Sequence, residues 1–274
     1  MEQEPRPSLP PDDKVRMAFI VAYDGRGFHG WQYQPSVSSV QGTIESAFER
    51  LLDLPVRIAG SGRTDTGVSA WGQVFHVDVD GTGRWTPETL RRAVNHFLPP
   101  EIRIVSGCVV AADFHARHDV RAKIYRYAFV SAPRLGHTPS PLSLPFLPFI
   151  PAPLDLTLMK TASRSFLGSR YYAHFTVQRS CPENPVRTVD GIHWEIAADS
   201  ISFWVTGRGF LHMMIRYMVG GLIDVGAGRR TPGELEKLLI PGSDAPKVPI
   251  RPAPPEGLCL VRVLYGKKDP FYPY

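Results

Sequence analysis

An arginine and an aspartate two residues apart in a run of small side chains mark the most unusual segment of the chain, Ala59-Gly60-Ser61-Gly62-Arg63-Thr64-Asp65-Thr66-Gly67-Val68-Ser69-Ala70. Its glycines permit tight turns, so a loop here can present the Asp65 carboxylate and the Arg63 guanidinium. A phosphate-cradling P-loop is excluded, because no Gly-Lys-Ser/Thr follows. A glycosidase or aspartic protease would need a second catalytic carboxylate. None lies nearby, although one could come from elsewhere in the chain. The plain alternative is a hairpin loop with Arg63 and Asp65 paired at the surface.

Two other segments carry charge in telling surroundings. Between Leu211 and Ile223 the only fully charged side chain is Arg216, set among Met213, Met214, Ile215, Tyr217, Met218, Val219 and Leu222. A guanidinium is expensive to bury there unless a carboxylate meets it. Asp224 is about 12 Å further along a helix axis, so the partner comes from elsewhere, with Asp65 a good candidate. The alternative is Arg216 reaching out to water from the helix edge. The third segment, Phe114 to Tyr127, carries Arg117, Arg121, Lys123 and Arg126 against Asp119, interleaved with aromatics. Cations neutralise phosphates and rings stack bases. Lys123, Tyr125, Tyr127 and Phe129 share one strand face, suited to a splayed-out base or, alternatively, to the core. His115 and His118 have no third ligand at matching spacing, so no metal site is expected.

The elements that must position these residues follow from periodicity. Met17, Phe19, Val21 and Tyr23 alternate as a strand ended by Asp24-Gly25. Ser38 and Gln41 have capping-box spacing ahead of a helix at about 39–53. Phe75, Val77 and Val79 alternate with His76, Asp78 and Asp80, which predicts one buried and one polar face. Thr86-Pro87 starts a helix stopped by Pro99-Pro100, and a strand through Ile102 and Ile104 follows. The later part predicts strands near 121–130, 187–196, 200–206 and 258–265. Helices are expected near 155–167, ending at Gly168, near 211–226, and after Thr231-Pro232-x-Glu234. The proline-rich stretches 131–155 and 241–257 read as long surface loops.

This order predicts an α+β fold of two ferredoxin-like α/β halves. They would form a mixed, mostly antiparallel sheet with helices packed on one face and an active-site cleft between the halves. The expected division is a disordered tail at 1–14, an N-terminal domain at 15–111, a second α+β domain at 112–266 and a short tail at 267–274. With 43% hydrophobic and 21% charged residues, a disordered chain or coiled coil is excluded. No apolar run is long enough for a membrane span and the first residues have no signal-peptide core, which predicts a cytoplasmic protein without a membrane partner. Three widely spaced cysteines offer no disulfide framework or zinc ribbon. Lys plus Arg 31 against Asp plus Glu 26 leaves a net +5, compatible with a polyanionic partner.

Taken together, these residues resemble the tRNA pseudouridine synthases of the TruA type along nearly the whole chain. The resemblance rests on Tyr23-Asp24-Gly25-x-x-Phe28-x-Gly30-Trp31-Gln32-x-Gln34 with Ser39-Val40-Gln41, and on Gly62-Arg63-Thr64-Asp65-x-Gly67-Val68. It continues in Asp113-Phe114-His115-Ala116-Arg117 with Tyr125-x-Tyr127, in Gly209-Phe210-Leu211-x-x-Met214-Ile215-Arg216, and in Pro255-x-Gly257-Leu258-x-Leu260-Val261. Ser69, Lys123 and Met213 depart from the usual pattern, which has His, Arg and His there.

The resemblance implies isomerisation of uridines in the anticodon stem-loop of tRNA to pseudouridine. Asp65 would be the catalytic aspartate and Arg216 its ion-pair partner. Arg63 would be a wedge or phosphate contact, Tyr125 the ring stacking on the target uracil, and Leu258 a wall of the base pocket. It also implies a homodimer contacting one tRNA. The reaction is redox-neutral and releases no fragment, so no cofactor or metal is expected. The rival readings are a non-catalytic RNA-binding protein on the same scaffold and an aspartate-dependent small-molecule hydrolase.

Overall fold

The computed structural model of the chain describes residues 13–131, 147–197, 200–244, 248–266 and 269–271. The expected tail through residue 12, most of the first proline-rich stretch and most of the C-terminal tail lie outside them. The chain forms an α+β fold of two contact units. The described residues up to Lys123 together with those from Leu260 make the first, and the described residues of Ile124–Cys259 make the second.

In the first unit the strand order is β4 (Ile102–Val109), β1 (Lys14–Tyr23), β3 (Ser69–Asp80), β10 (Leu258–Leu264), with the two-residue β2 (Ala59–Gly60) also on β3. β1 is antiparallel to both β3 and β4, with Phe19 opposite Phe75 on one side and Gly107 on the other. Helices α1 (Val40–Leu52) and α2 (Pro87–Phe97) supply Phe48, Ile44, Leu90 and Val94 to the core. Phe48 meets Phe19 and Phe75 edge-on at 6.3 and 6.1 Å, while Phe19 and Phe75 stack at 5.5 Å. Such offset and edge contacts suit ring quadrupoles.

Thr86 caps α2 with Pro87 at its first position, as the spacing predicts. For α1 the cap is Ser39 rather than Ser38, its hydroxyl accepting from Gly42 N at 3.3 Å. Gln41 is needed elsewhere. Its amide donates to Glu45 Oε1 at 2.9 Å and its Oε1 accepts from Gln32 and Tyr33, which satisfies two buried polar side chains.

The face of β3 expected to be polar is covered at His76, whereas Asp78 is half-buried and Asp80 exposed. His76 is buried because Ala116 N donates to its Nδ1 at 3.2 Å and the His115 ring lies 4.7 Å away. Arg16, paired with Asp78 at 2.7 Å, donates to Phe114 O, and Tyr265 donates its hydroxyl to Ala116 O. An irregular segment therefore closes the second face, and alternation alone cannot reveal such a cover.

Burial, reinforced by the charges of His115 and Arg16, pushes His76 down to about 3. Burial and His118 push His115 down to about 4. In the unfolded chain both titrate near 6.5. Below that the unfolded state binds more protons than the folded one, so stability falls as pH drops from 6.5 toward 4. Urea midpoints should decline between pH 7 and pH 5, before most carboxylates titrate. The decline should be shallower in His76→Gln.

In the second unit the order is β5 (Ala122–Ser131), β9 (Ile201–Gly207), β8 (Val186–Ile196), β7 (Gly168–Tyr171), and β6 (Phe149–Ile150) runs parallel to β5. Gly168, expected only to stop a helix, opens strand β7. The helix before it, α3, is shorter than expected, Leu156–Ser163, followed by a 3-10 turn through Phe166. Helix α4 (Met214–Gly226) buries Met214, Ile215, Met218, Val219 and Leu222, and α5 (Pro232–Lys237) carries the expected Thr231/Glu234 capping box. No helix among the described residues is long and apolar enough to cross a membrane.

Candidate active site

The segment from Arg63 to Asp65 lies in the loop between β2 and β3, and residues 23–31 impose its shape. Trp31 N donates to Thr64 O at 3.1 Å, and Gly67 N donates to Phe28 O at 3.3 Å. The buried hydroxyls of Tyr23 and Thr64 hydrogen-bond at 2.9 Å. At the far end, Gly25 N donates to the Ser69 hydroxyl at 3.0 Å, so serine at this position is a loop anchor. On the strand side, Gln73 accepts from the Ser61 hydroxyl and donates from Nε2 to Gly62 O at 2.9 Å.

Asp65 opens a four-residue turn in which Val68 N donates to Asp65 O at 3.1 Å. Gly67, third in that turn, has φ 79°, the sign a type II turn requires there. The result is a buried Thr64 flanked by an exposed Arg63 and a half-buried Asp65. Among the described residues no ion pair joins Arg63 to Asp65, so the surface pairing considered from the sequence is absent.

Gly30 is the tightest constraint from outside the loop. It has φ 86°, and a Cβ there would stand 2.7 Å from Thr64 O and 3.2 Å from the Asp65 carbonyl carbon. Both atoms are backbone, so an alanine would displace the loop as well as strain its own residue, a cost of about 1–3 kcal/mol. A misplacement of about 1 Å can cost about 10²-fold in rate. Gly30→Ala should therefore lower kcat/KM for any reaction that uses Asp65 by about that factor. A thermal melt should still show a cooperative fold.

The other residues singled out by sequence lie in the second unit. Tyr125 on β5 is buried, with the Phe210 ring edge-on at 5.3 Å. Arg216 on α4 is half-buried, donating from Nε to Ala253 O at 2.7 Å and accepting from Ala253 N at its own carbonyl at 2.9 Å. That contact depends on Gly220, where a Cβ would lie 1.9 Å from Arg251 O. The same segment leads to Gly257, packed on the Tyr127 ring, and then to Leu258, which is buried. Tyr127 donates its hydroxyl to Pro254 O at 2.9 Å. Arg216 and Tyr127 are thus tied to one continuous run that ends at Leu258. Phe210 is not legible as a neighbour of Tyr125 in the sequence, because nothing in its own spacing distinguishes it from an ordinary core residue.

Comparison with known proteins adds an independent line. The sequence profile of a family described as tRNA pseudouridine synthase matches residues 19–119 and 162–266. A protein named tRNA pseudouridine synthase A from Brevibacillus brevis is 37% identical over 255 residues, covering 91% of this chain and 99% of its own length. Proteins of the same name from Listeria innocua and Methylacidiphilum infernorum are 37% and 36% identical over 253 residues. They cover 92% of this chain and 99% and 96% of their own lengths. Among solved structures, a chain from a Cbf5-Nop10-Gar1 complex overlaps with a TM-score of 0.31 at 16% identity, over 81% of this chain and 58% of that one.

Proposed function

The chain belongs to the tRNA pseudouridine synthase family, and from that membership we propose that it isomerises uridine in tRNA to pseudouridine with Asp65 as the catalytic carboxylate. The C1′–N1 bond of the target uridine breaks, C1′ rejoins the base at C5, the C5 hydrogen leaves to water, and N1 takes up a proton. Every heavy atom of the nucleotide is retained. The carboxylate must be ionised to act as nucleophile or base.

The observation that carries this reading is the Asp65 turn. Residues far away in sequence clamp the loop, yet the aspartate is left half-exposed at its bend. A structural aspartate needs no such presentation. Tyr125 is the proposed platform for the unstacked uracil, Leu258 a wall of its pocket, Arg63 a contact to the nucleic acid and Arg216 the cation that supports Asp65. An extruded base requires an aromatic platform and apolar walls of this kind.

We further propose uridines of the anticodon stem-loop as targets and a homodimer as the working form. The net charge of +5 suits a polyanionic substrate. Incubation with unmodified tRNA tritiated at uracil C5 tests the reaction, since each turnover releases tritium to water. Release from tRNA but not from free uridine is expected. No release from tRNA, or hydrolysis of a nucleoside, overturns the reading.

A further inference from the structure

Lys123 stands at the start of β5, and its ammonium lies against the backbone of the Asp65 loop. A Cβ built on Gly62 would meet Lys123 Nζ at 2.5 Å and Cε at 3.3 Å, so the ammonium packs directly on the backbone at Gly62. Gly62, the residue before Arg63, is itself held by Gln73 Nε2 donating to its carbonyl. Among the described residues, Lys123 has no hydrogen-bonding or ionic partner. The residue is not sealed from solvent, yet packing strips enough water from the ammonium, aided by the like charge of Arg117, to bring it down to about 8. Loss of hydration is the first cause and Arg117 the second. Among the described residues no carboxylate offsets either.

A cation packed against a substrate-facing loop without a counterion is costly for the free protein. The cost is recovered when an anion arrives. Arg117 at its side repels a cation and reinforces the attraction for a doubly coordinated phosphate. Two residues further along the same strand is Tyr125, the proposed uracil platform.

On the premise of the function proposed above, we propose that Lys123 is a substrate-binding residue that grips a backbone phosphate of the tRNA next to the extruded uridine. The free amine loses its proton as pH rises through about 8, and only the ammonium holds the phosphate. Bound phosphate favours the charged form, so the alkaline limb should appear in kcat/KM near pH 8 and move to higher pH in kcat.

The test uses the full-length protein with unmodified tRNA, comparing wild type with Lys123→Met and Lys123→Arg. Lys123→Met should bind tRNA roughly tenfold or more weakly. Its plot of log affinity against log salt should be shallower by roughly 0.7–0.9. It should also lack the alkaline limb near pH 8. Lys123→Arg, charged throughout this range, should keep the salt slope and lose the limb. Thermal melts establish that each variant is folded, and the arginine variant carries the test if the methionine variant is not. An unchanged salt slope in Lys123→Met, or an unchanged limb in Lys123→Arg, overturns the assignment. Tritium release by the wild type is read first. Its absence overturns the functional reading, whereas release combined with an unchanged slope overturns only the phosphate grip.

Discussion

Replacement of Asp65 by alanine or asparagine should reduce tritium release from tRNA by about 10⁴-fold or more, the scale on which enzymes lose turnover when the reacting side chain is removed. Affinity for tRNA should remain within about tenfold, because one carboxylate adds nothing favourable to an interface dominated by phosphate contacts. The fold should tolerate the change well. Asp65 contributes its carbonyl to the turn through Val68 N, and a different side chain leaves that bond in place. Gel-shift titration against single-turnover tritium release separates the two effects. Loss of binding in parallel with activity would make Asp65 a structural residue, and turnover near the wild-type rate would remove it from the chemistry.

Replacement of Arg216 by methionine should lower turnover by about 10²–10³-fold, the range seen when one preorganised charge-stabilising group is lost. Methionine has comparable length and suits the apolar neighbours Ile215 and Val219. What it lacks is the fork that donates to Ala253 O and the positive charge. If that charge supports the ionised form of Asp65, its removal raises the pKa of the carboxylate. Activity is lost as pH falls through that pKa, so the acid limb of the residual rate should move to higher pH. The double variant Asp65→Ala with Arg216→Met should be no slower than Asp65→Ala alone, because residues serving one step are not additive. A further drop in the double variant would assign Arg216 to separate work, such as holding the segment at Ala253.

Much of this protein is legible in local sequence, and what is not has a common physical cause. Thr86-Pro87 and Thr231-Pro232-x-Glu234 announce their helices because a cap is a contact among neighbours in sequence. The glycine-rich loop around Asp65 stands out by composition. The clamp on it does not, since Tyr23 meets Thr64 across 41 residues. Nor does the requirement for glycine at position 30, which becomes visible only when Thr64 O is seen against it. His76 reads as a solvent-facing strand residue until Ala116 is found donating to it across 40 residues. Ser39 displaces Ser38 as the cap of α1 for a similar reason, because Gln41 is drawn into a buried network with Glu45. Strand β7 is only four residues long and shows little burial, so periodicity had almost nothing to register. The resemblance to a known family supplied roles for Asp65, Tyr125 and Arg216 that spacing alone left open. In Lys123 the resemblance offered only a departure from pattern, and the contact with Gly62 gives that departure a chemical meaning.

The most direct test is to map pseudouridine at single-nucleotide resolution on one unmodified tRNA after incubation with the wild-type protein and with Asp65→Asn. The expected result is pseudouridine at uridines of the anticodon stem-loop with the wild type and none with the variant, under conditions where both bind the tRNA. Pseudouridine formed equally by both proteins, or formed by neither, would contradict it.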